Sequence, residues 1–360
     1  VAGAAGQDGG KRMRVLIISG RDEFSLLSDA CAYDAEDVAV QTLQADLLTR
    51  ATDPATLAPG YDLVMVFAIS FLRLDTIKAW ALPLVQDRLN GPMIGYVFGG
   101  YGSLVKPSDN PIKRAFGKAG TRFRVFDRMY VGIEDDVSAI AASINVDTAY
   151  VPMAARVLDV AATPFRGGPD RPISVNAFGR QKMPVVEAIA DALNTPDSDG
   201  VLYATNFLGV GDTRDLWRYR AMFWQLLRKS RVAMCFDQFY ANDGDAKLSY
   251  VGPRWFEALA AGTVIVGRVP PTRDSGILLD WPDAAIDLPD DAIAARDVVL
   301  ALLQDEARLM AASRANLHNM AVRHDWAHRI ATMLDREGLD APDGLRARLD
   351  ALSRFAADLA

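Results

Sequence analysis

The stretch from Gly252 to Gly267 most constrains what this chain can fold into. It reads GPRWFEALAAGTVIVG. Pro253 suits the first turn of a helix, because proline has no amide hydrogen to lose there and its φ is already helical. Gly262 is the expected end of that helix, and the β-branched run after it is typical of a parallel strand buried on both faces. The stretch therefore predicts a helix that leads directly into a buried strand.

Strand patterns alternate with helical patterns along the rest of the chain. The predicted strands cover residues 14–19, 38–43, 62–69, 93–98, 124–131, 148–153, 173–178, 201–205, 232–236 and 285–288. The predicted helices cover residues 74–89, 184–193, 213–229, 291–304, 306–323, 326–336 and 343–359. This alternation predicts an α/β fold with parallel, doubly wound sheets, and it restarts after a segment rich in proline and glycine.

The length and the hydrophobic content fit two compact domains. The chain has 360 residues, of which 50% are hydrophobic, enough for two separate cores. We expect a disordered tail at 1–12, a Rossmann-like domain at 13–155, a linker at 156–171, a second Rossmann-like domain at 172–340 and a terminal helix within 341–360.

Charge and cysteine usage narrow the possible functions. The net charge of −7 argues against general nucleic-acid binding. Cys31 and Cys235 fall in different predicted domains, which indicates neither a disulfide nor a metal site and fits a reducing cytoplasm. His324 and His328 are one helical turn apart and could hold a metal ion, but no carboxylate-rich motif accompanies them, so we expect a solvated helix face and no metal.

One segment departs from the acidic balance. Between Lys106 and Arg128, seven basic residues stand against Asp109 and Asp127. Such a segment could attract an anionic acceptor or an acidic membrane surface, which would place the protein at the inner face of the membrane. The alternative is a basic run that is simply solvated.

The helix that begins at Pro253 carries charged residues opposite its aromatic side. At 100° per residue, Trp255 and Phe256 fall on one side, and Arg254 and Glu257 fall on the other. A helix start favours a phosphate, and a carboxylate one turn further in could accept hydrogen bonds from a ribose. The alternative is a surface ion pair between Arg254 and Glu257.

The run PRWFEALAAGTVIVG resembles the nucleotide-sugar-binding segment of GT-B type glycosyltransferases, in particular bacterial group-1-like members. The resemblance implies two Rossmann-like domains facing across a cleft, with a terminal helix that crosses back onto the first domain. It also implies that Glu257 binds the ribose of the donor. Many retaining members carry a second glutamate eight residues earlier, where this chain has Ser249, so the stereochemical outcome stays open.

The same resemblance implies the other donor contacts. The turn after the first strand of the second domain contains Arg180 and Lys182, which would bind the diphosphate; the alternative is a pair of surface bases. Ser249 and Tyr250 would face the donor just before the helix start, where Gly252 and Arg254 are also assigned to donor binding. Asp237 and Gln238 are candidates for contact with the base of the nucleotide. The nucleotide sugar is a co-substrate, and neither a cofactor nor a metal is expected.

The first domain is expected to hold the acceptor, which would be a glycan, a lipid-linked glycan or a small molecule. The glycine-rich turn at 99–103 would let a sugar approach the backbone, or it is a plain loop with positive φ values. If the reaction inverts the sugar, Asp22 or Glu23 would be the catalytic base, since the first domain has no histidine.

The predicted function is metal-independent transfer of a sugar from a nucleotide diphosphate donor, as in polysaccharide biosynthesis. Two alternatives stay open at this point. A nucleotide-sugar epimerase would share the architecture but act on the donor alone, and a non-catalytic sugar-nucleotide-binding module would have kept the fold without the reaction.

Overall fold

A parallel sheet forms the first half of the molecule. The computed structural model describes residues 12–105, 122–161, 163–166, 170–205, 215–237 and 248–360. Within these ranges the strands of the first half are β1 (Val15–Ile18), β2 (Asp46–Leu48), β3 (Leu63–Ala68), β4 (Met93–Val97), β5 (Arg128–Val131) and β6 (Thr148–Tyr150). Its helices are α1 (Ala30–Leu43), α2 (Phe71–Val85), α3 (Gly102–Val105) and α4 (Val137–Ile144). The strands are parallel and lie in the order β2-β1-β3-β4-β5-β6.

A second parallel sheet follows the short linking helix α5 (Val157–Val160). Its strands are β7 (Ile173–Phe178), β8 (Leu202–Thr205), β9 (Ser230–Phe236), β10 (Val264–Arg268) and β11 (Ile286–Asp287). Their order is β11-β10-β9-β7-β8. The helices of this half are α6 (Met183–Leu193), α7 (Leu216–Arg228), α8 (Pro253–Ala260), α9 (Ser275–Leu278), α10 (Ala292–Gln304), α11 (Glu306–Arg323), α12 (Trp326–Arg336) and α13 (Asp343–Ala357). Two Rossmann-like domains with parallel sheets confirm the predicted fold class.

Both sheets reverse their strand order at their first strand. In the first sheet β1 lies between β2 and β3, and in the second β7 lies between β8 and β9. Ligands of open parallel sheets bind beyond the carboxyl ends of the strands at such a reversal point. The loops that follow β1, β3, β7 and β9 are therefore the places to look for a site.

The helix and strand predicted from the stretch starting at Gly252 are confirmed as α8 and β10. Gly252 is extended, with φ −81° and ψ 176°, and Pro253 is the first helical residue. Gly262 has a φ of +66°, a left-handed conformation that favours glycine after a helix end. Strand β10 then pairs in parallel with β9 on one side and β11 on the other.

The strand predicted at 38–43 is wrong, because these residues form the second half of α1. The β-branched residues Val38, Val40 and Thr42 suggested a strand. However, Ala35, Val38, Ala39 and Thr42 are all buried, and their spacing of three and four residues is that of one helical face. Packing of this face decides the structure over local β propensity, and the second strand is the shorter β2.

Helices α12 and α13 contact elements of both halves. Helix α13 packs against α1 in the first half and α11 in the second. The approach to α1 is close, since a β-carbon on Gly344 would lie 2.5 Å from the carbonyl oxygen of Thr42. Arg348 of α13 also pairs with Asp159 and Asp325, at 2.8 Å each. None of the helices in the described residues is long and apolar enough to span a bilayer.

Candidate functional site

The start of α8 lies beside the loops that follow β7 and β9, and Arg254 ties the three elements together. Its guanidinium donates to the carbonyl oxygens of Phe178 at 3.2 Å, Arg180 at 3.0 Å and Phe236 at 3.4 Å. Carbonyl oxygens at the ends of parallel strands have no strand partner left, so a buried guanidinium can bind several of them at once. Burial lowers the pKa of Arg254, and the nearby Arg180 contributes in the same direction.

The turn above this guanidinium requires glycine. Gly179 has a φ of +73°, and a β-carbon there would lie 2.6 Å from Nη1 of Arg254. The next residue, Arg180, has an exposed side chain. Lys182, the second predicted phosphate ligand, lies at the N-cap position of α6. The structure thus brings Arg180 and Arg254 to the same end of the second sheet.

Within the described part of the chain, no side chain caps the start of α8. Gly252 has no side chain to bind the free amides, and no cap hydrogen bond is formed there. A helix start carries about half a positive charge and amide donors that need partners. Together with Arg180 and Arg254, this end of the second sheet is positively charged and suited to an anion.

Glu257, one turn into α8, is buried and bound by Arg220 of α7. Only 5% of Glu257 is exposed. Its Oε1 accepts a short hydrogen bond from Nη2 of Arg220. The other oxygen, Oε2, accepts no hydrogen bond from the described residues. The alternative interpretation, a surface pair between Arg254 and Glu257, is wrong, because Glu257 is buried and Arg254 binds backbone carbonyls instead.

The residues before α8 connect the two halves of the molecule. Ser249 donates from Oγ to Oδ2 of the buried Asp237, at 2.8 Å. The hydroxyl of Tyr250 would lie 3.2 Å from a β-carbon on Gly99, and its ring is 5.9 Å from that of Tyr101. The loop that precedes α8 therefore faces the glycine-rich turn at 99–103. In that turn Gly100 has a positive φ of +73°. Gln238, proposed to contact the base, lies outside the described residues.

Asp22 and Glu23 have polar partners in the first half of the molecule. Oδ2 of Asp22 accepts from the backbone amide of Ala51 at 3.0 Å. Glu23 accepts from the indole of Trp80 at 2.8 Å and pairs with Arg50 at 3.0 Å. These partners belong to the first half, so neither carboxylate contacts the second half within the described residues.

Sequence reasoning did not find a set of buried charges on and around α1. Arg21 pairs with Glu36 at 2.8 Å and Asp37 at 3.0 Å. Its guanidinium also lies over the ring of Trp217 in α7, 5.2 Å from the centroid. Burial raises the pKa of the fully buried Glu36 to about 7, against the opposing effects of Arg21 and of the hydrogen bond from Ser19. The glycine–arginine turn after β1 was a usable signal for Arg21.

The predicted solvated histidine face is wrong for His324. This residue is 3% exposed, and its ring lies 5.3 Å from that of Phe256. Burial and the neighbouring Arg329 lower its pKa well below the usual range. Among the described residues no group of three or more His, Cys, Asp or Glu side chains could hold a metal ion. Cys31 and Cys235 are both buried free thiols.

Most of the basic segment from Lys106 to Arg128, namely residues 106–121, lies outside the described residues. Its described members include two ion-paired arginines. Arg122 pairs with Asp75 at 3.3 Å, and Arg128 pairs with Glu337 at 2.9 Å. The attraction of an anionic acceptor or a membrane to this segment stays a prediction.

Comparison with known proteins gives one family match and a set of similar folds. The model of a family described as glycosyl transferase-like matches residues 184–335. The search of curated proteins finds no match. Among solved structures, sucrose-phosphate synthase from Thermosynechococcus elongatus is similar with a TM-score of 0.52 and 13% identity, over 90% of this chain and 98% of that one.

Two further solved structures are similar over nearly their whole length. Anabaena HepE in complex with UDP and glucose has a TM-score of 0.55 and 10% identity, over 91% of this chain and 99% of that one. An α-glucosyltransferase in complex with UDP and DNA has a TM-score of 0.54 and 12% identity, over 91% and 99%. At these identities the likeness concerns the fold. The predicted resemblance is thus confirmed: the chain has the fold of GT-B type glycosyltransferases, and it matches a glycosyl transferase-like family model over residues 184–335.

Proposed function

We propose that this protein is a glycosyltransferase that moves a sugar from a nucleotide diphosphate donor to an acceptor in the cleft between its domains. The observation that carries the proposal is the uncapped start of α8, with two arginines beside it and a carboxylate one turn in. The similar structures of HepE and the α-glucosyltransferase contain UDP, which supports a nucleotide sugar as the donor.

The diphosphate of the donor is proposed to lie against the start of α8. The exposed Arg180 would bind it directly, and Lys182 would contribute from the start of α6. Arg254 forms no ion pair with the described residues, so its charge is not neutralised by a carboxylate of its own. These charges and the helix start would stabilise the negative charge that develops on the leaving diphosphate. We therefore propose that transfer needs no metal ion.

The ribose is proposed to bind Oε2 of Glu257. Arg220 fixes the other oxygen, which leaves an oriented acceptor for a ribose hydroxyl. Ser249 and Tyr250 would line the same side of the site, with Ser249 holding the carboxylate of Asp237 in place at 2.8 Å. Loss of a hydrogen bond to a charged group costs about 1.5–3 kcal/mol.

The acceptor is proposed to enter from the first domain, at the glycine-rich turn that faces Tyr250. If the reaction inverts the sugar, Asp22 is the stronger of the two proposed bases, because Glu23 is already bound by Arg50 and Trp80. The acceptor would be a glycan, a lipid-linked glycan or a small molecule, and the basic segment around residues 106–128 would favour an anionic one. We expect the enzyme in the cytoplasm or at the inner face of the membrane.

Titration with UDP-, GDP- and dTDP-sugars tests the proposal, with binding measured by calorimetry and turnover by release of the nucleoside diphosphate. We expect one sugar nucleotide to bind and to turn over. Glu257→Gln should weaken its binding about tenfold or more, which corresponds to about 1.4 kcal/mol. Glu187→Gln is the matched control, because Glu187 is an exposed carboxylate on α6 in the same domain.

Three other outcomes would contradict the proposal in different ways. Failure of every sugar nucleotide to bind would refute it. Binding without turnover in the presence of candidate acceptors would indicate a non-catalytic module. Conversion of the donor sugar to its epimer, without transfer or hydrolysis, would indicate an epimerase.

A further inference from the structure

We propose that Asp34 and Arg220 form a relay that orients Glu257 for the ribose when the two domains close. Asp34 lies on α1 of the first domain, whereas Arg220 and Glu257 lie on α7 and α8 of the second. The inference rests on the proposed function, because it concerns how the carboxylate assigned to the donor is positioned. Arg220 and Asp34 are positioning residues in this scheme, and of these three residues Glu257 alone touches the nucleotide.

A single nitrogen of Arg220 binds both carboxylates. Nη2 donates to Oδ2 of Asp34 at 2.5 Å and also to Oε1 of Glu257. Nε donates to the same oxygen of Asp34 at 3.1 Å. Arg220, Asp34 and Glu257 are only 9%, 3% and 5% exposed, so water cannot easily replace any of these contacts.

The two ends of the relay are held in place by their own domains. Arg220 lies over the rings of Phe223 and Trp224, 4.7 Å from each centroid. On the other side, Oδ1 of Asp34 accepts from Arg156 at 3.3 Å, so this carboxylate is fixed by the linker that joins the domains. Nearby, Leu216 at the start of α7 packs against Ala30 of α1, which continues the contact between the domains.

Asp34 occupies the side of the guanidinium that a carboxylate prefers. The Nε–Nη2 edge of arginine can bind both oxygens of one carboxylate in parallel. If the domains separate, Asp34 leaves with α1, and this edge becomes available to both oxygens of Glu257. When the domains are closed, Asp34 holds the edge, and Glu257 keeps a bond through Oε1 alone. Its Oε2 is then left for a ribose hydroxyl.

The arrangement couples domain closure to nucleotide binding. Closure would free Oε2 of Glu257, and by reciprocity a ribose bound to Oε2 would favour closure. A coupling of this kind typically changes affinity by about 5- to 150-fold. The effect should depend on the ribose hydroxyls, because only the contact through Oε2 is involved.

The test compares UDP with 2′,3′-dideoxy-UDP by calorimetry, or the corresponding guanine pair if GDP-sugars bind in the titration above. The wild type should prefer the nucleotide with both hydroxyls. Asp34→Asn should weaken its binding about 5-fold or more while leaving the affinity for the dideoxy nucleotide unchanged. Arg220→Lys keeps the charge but loses the planar fork, and it should reduce the same preference.

Asp37→Asn is the matched control. Asp37 lies on the same helix and pairs with Arg21 at 3.0 Å and Arg156 at 3.1 Å, without reaching the second domain. It should keep the wild-type preference. Urea denaturation of each variant checks folding, and Arg220→Lys carries the test if Asp34→Asn does not fold.

The possible failures are distinguishable. If neither nucleotide pair binds the wild type, the proposed function fails. If the wild type binds the nucleotides with and without hydroxyls equally, the assignment of Glu257 to the ribose fails. If the wild type prefers the hydroxyls and the relay variants that fold keep that preference in full, the relay is refuted while the proposed function stands.

Discussion

Replacing Gly179 with alanine should damage the donor site through the backbone rather than through a lost side chain. Gly179 has a φ of +73°, and a β-carbon there would lie 2.6 Å from Nη1 and 2.9 Å from Cδ of Arg254. Both distances are shorter than van der Waals contact. The alanine variant must therefore either change its backbone conformation or displace the guanidinium.

The expected cost has two parts. A left-handed conformation costs a residue with a β-carbon about 1–2 kcal/mol. Displacement of Arg254 also weakens its bonds to the carbonyl oxygens of Phe178 and Arg180, at 3.2 and 3.0 Å. Each hydrogen bond to a charged group contributes about 1.5–3 kcal/mol, but a displaced guanidinium regains part of this from water. We expect a total loss of about 3 kcal/mol in the free energy of unfolding.

Urea denaturation of the wild type and of Gly179→Ala measures this loss directly. Gly276→Ala is the matched control, because Gly276 lies in α9 and a β-carbon there would meet no atom within 4 Å. The control should be neutral or stabilising by up to about 1 kcal/mol. The reasoning would be refuted if Gly179→Ala unfolded at the same urea concentration as the control and bound sugar nucleotides like the wild type.

Two other buried charges give predictions about stability. Burial raises the pKa of the Glu36 carboxyl from its usual 4.5 to about 7, so the folded chain binds the carboxyl proton more tightly than the unfolded chain does. The free energy of unfolding therefore falls as the pH rises from 4.5 to about 7. Urea denaturation at pH 5 and pH 8 should show that the wild type loses about 2.5 kcal/mol relative to Glu36→Gln; equal pH dependence would contradict this. Arg171 donates to the carbonyl oxygens of Ser230 at 2.9 Å, Gly262 at 2.9 Å and Ala261 at 3.0 Å. Arg171→Met should cost about 3 kcal/mol or more in the same assay, because three buried carbonyls lose their donor, and an unchanged midpoint would contradict it.

The elements that could be predicted from the sequence are those marked by local chemistry. Pro253 marks the start of α8 because the φ of proline is fixed near the helical value, and Gly262 marks its end because glycine readily adopts a positive φ. Neither property depends on distant residues. The β-branched run after them could only be buried. In contrast, the residues at 38–43 form helix because of what they pack against, and their β-branched composition pointed to a strand.

The candidate site was only partly predictable, because its contacts also depend on residues that are distant in the sequence. Arg254 was assigned to the donor, with a surface ion pair to Glu257 as the alternative. Its main partners are carbonyl oxygens at strand ends, which no side-chain pattern reveals. The pairing of Glu257 with Arg220 spans 37 residues, and that of Arg220 with Asp34 spans 186. The first contact follows from the packing of α7 against α8 within the second domain, and the second follows from the relative position of the two domains. A single sequence specifies neither.

A comparison of the two domains supports the proposal that the second domain binds the diphosphate of the donor. In each sheet the first strand is followed by a glycine and an arginine. These are Gly20-Arg21 after β1 and Gly179-Arg180 after β7. Arg21 is paired with Glu36 and Asp37 of α1, at 2.8 and 3.0 Å, and its guanidinium lies over the ring of Trp217 in the second domain. Arg180 is exposed, and no carboxylate pairs with it in the described residues. Both turns contain a Gly-Arg pair, but only the arginine of the second has no carboxylate partner among the described residues. We therefore expect the anionic donor of the proposed function to bind at the second domain, even though both sheets offer the same reversal of strand order.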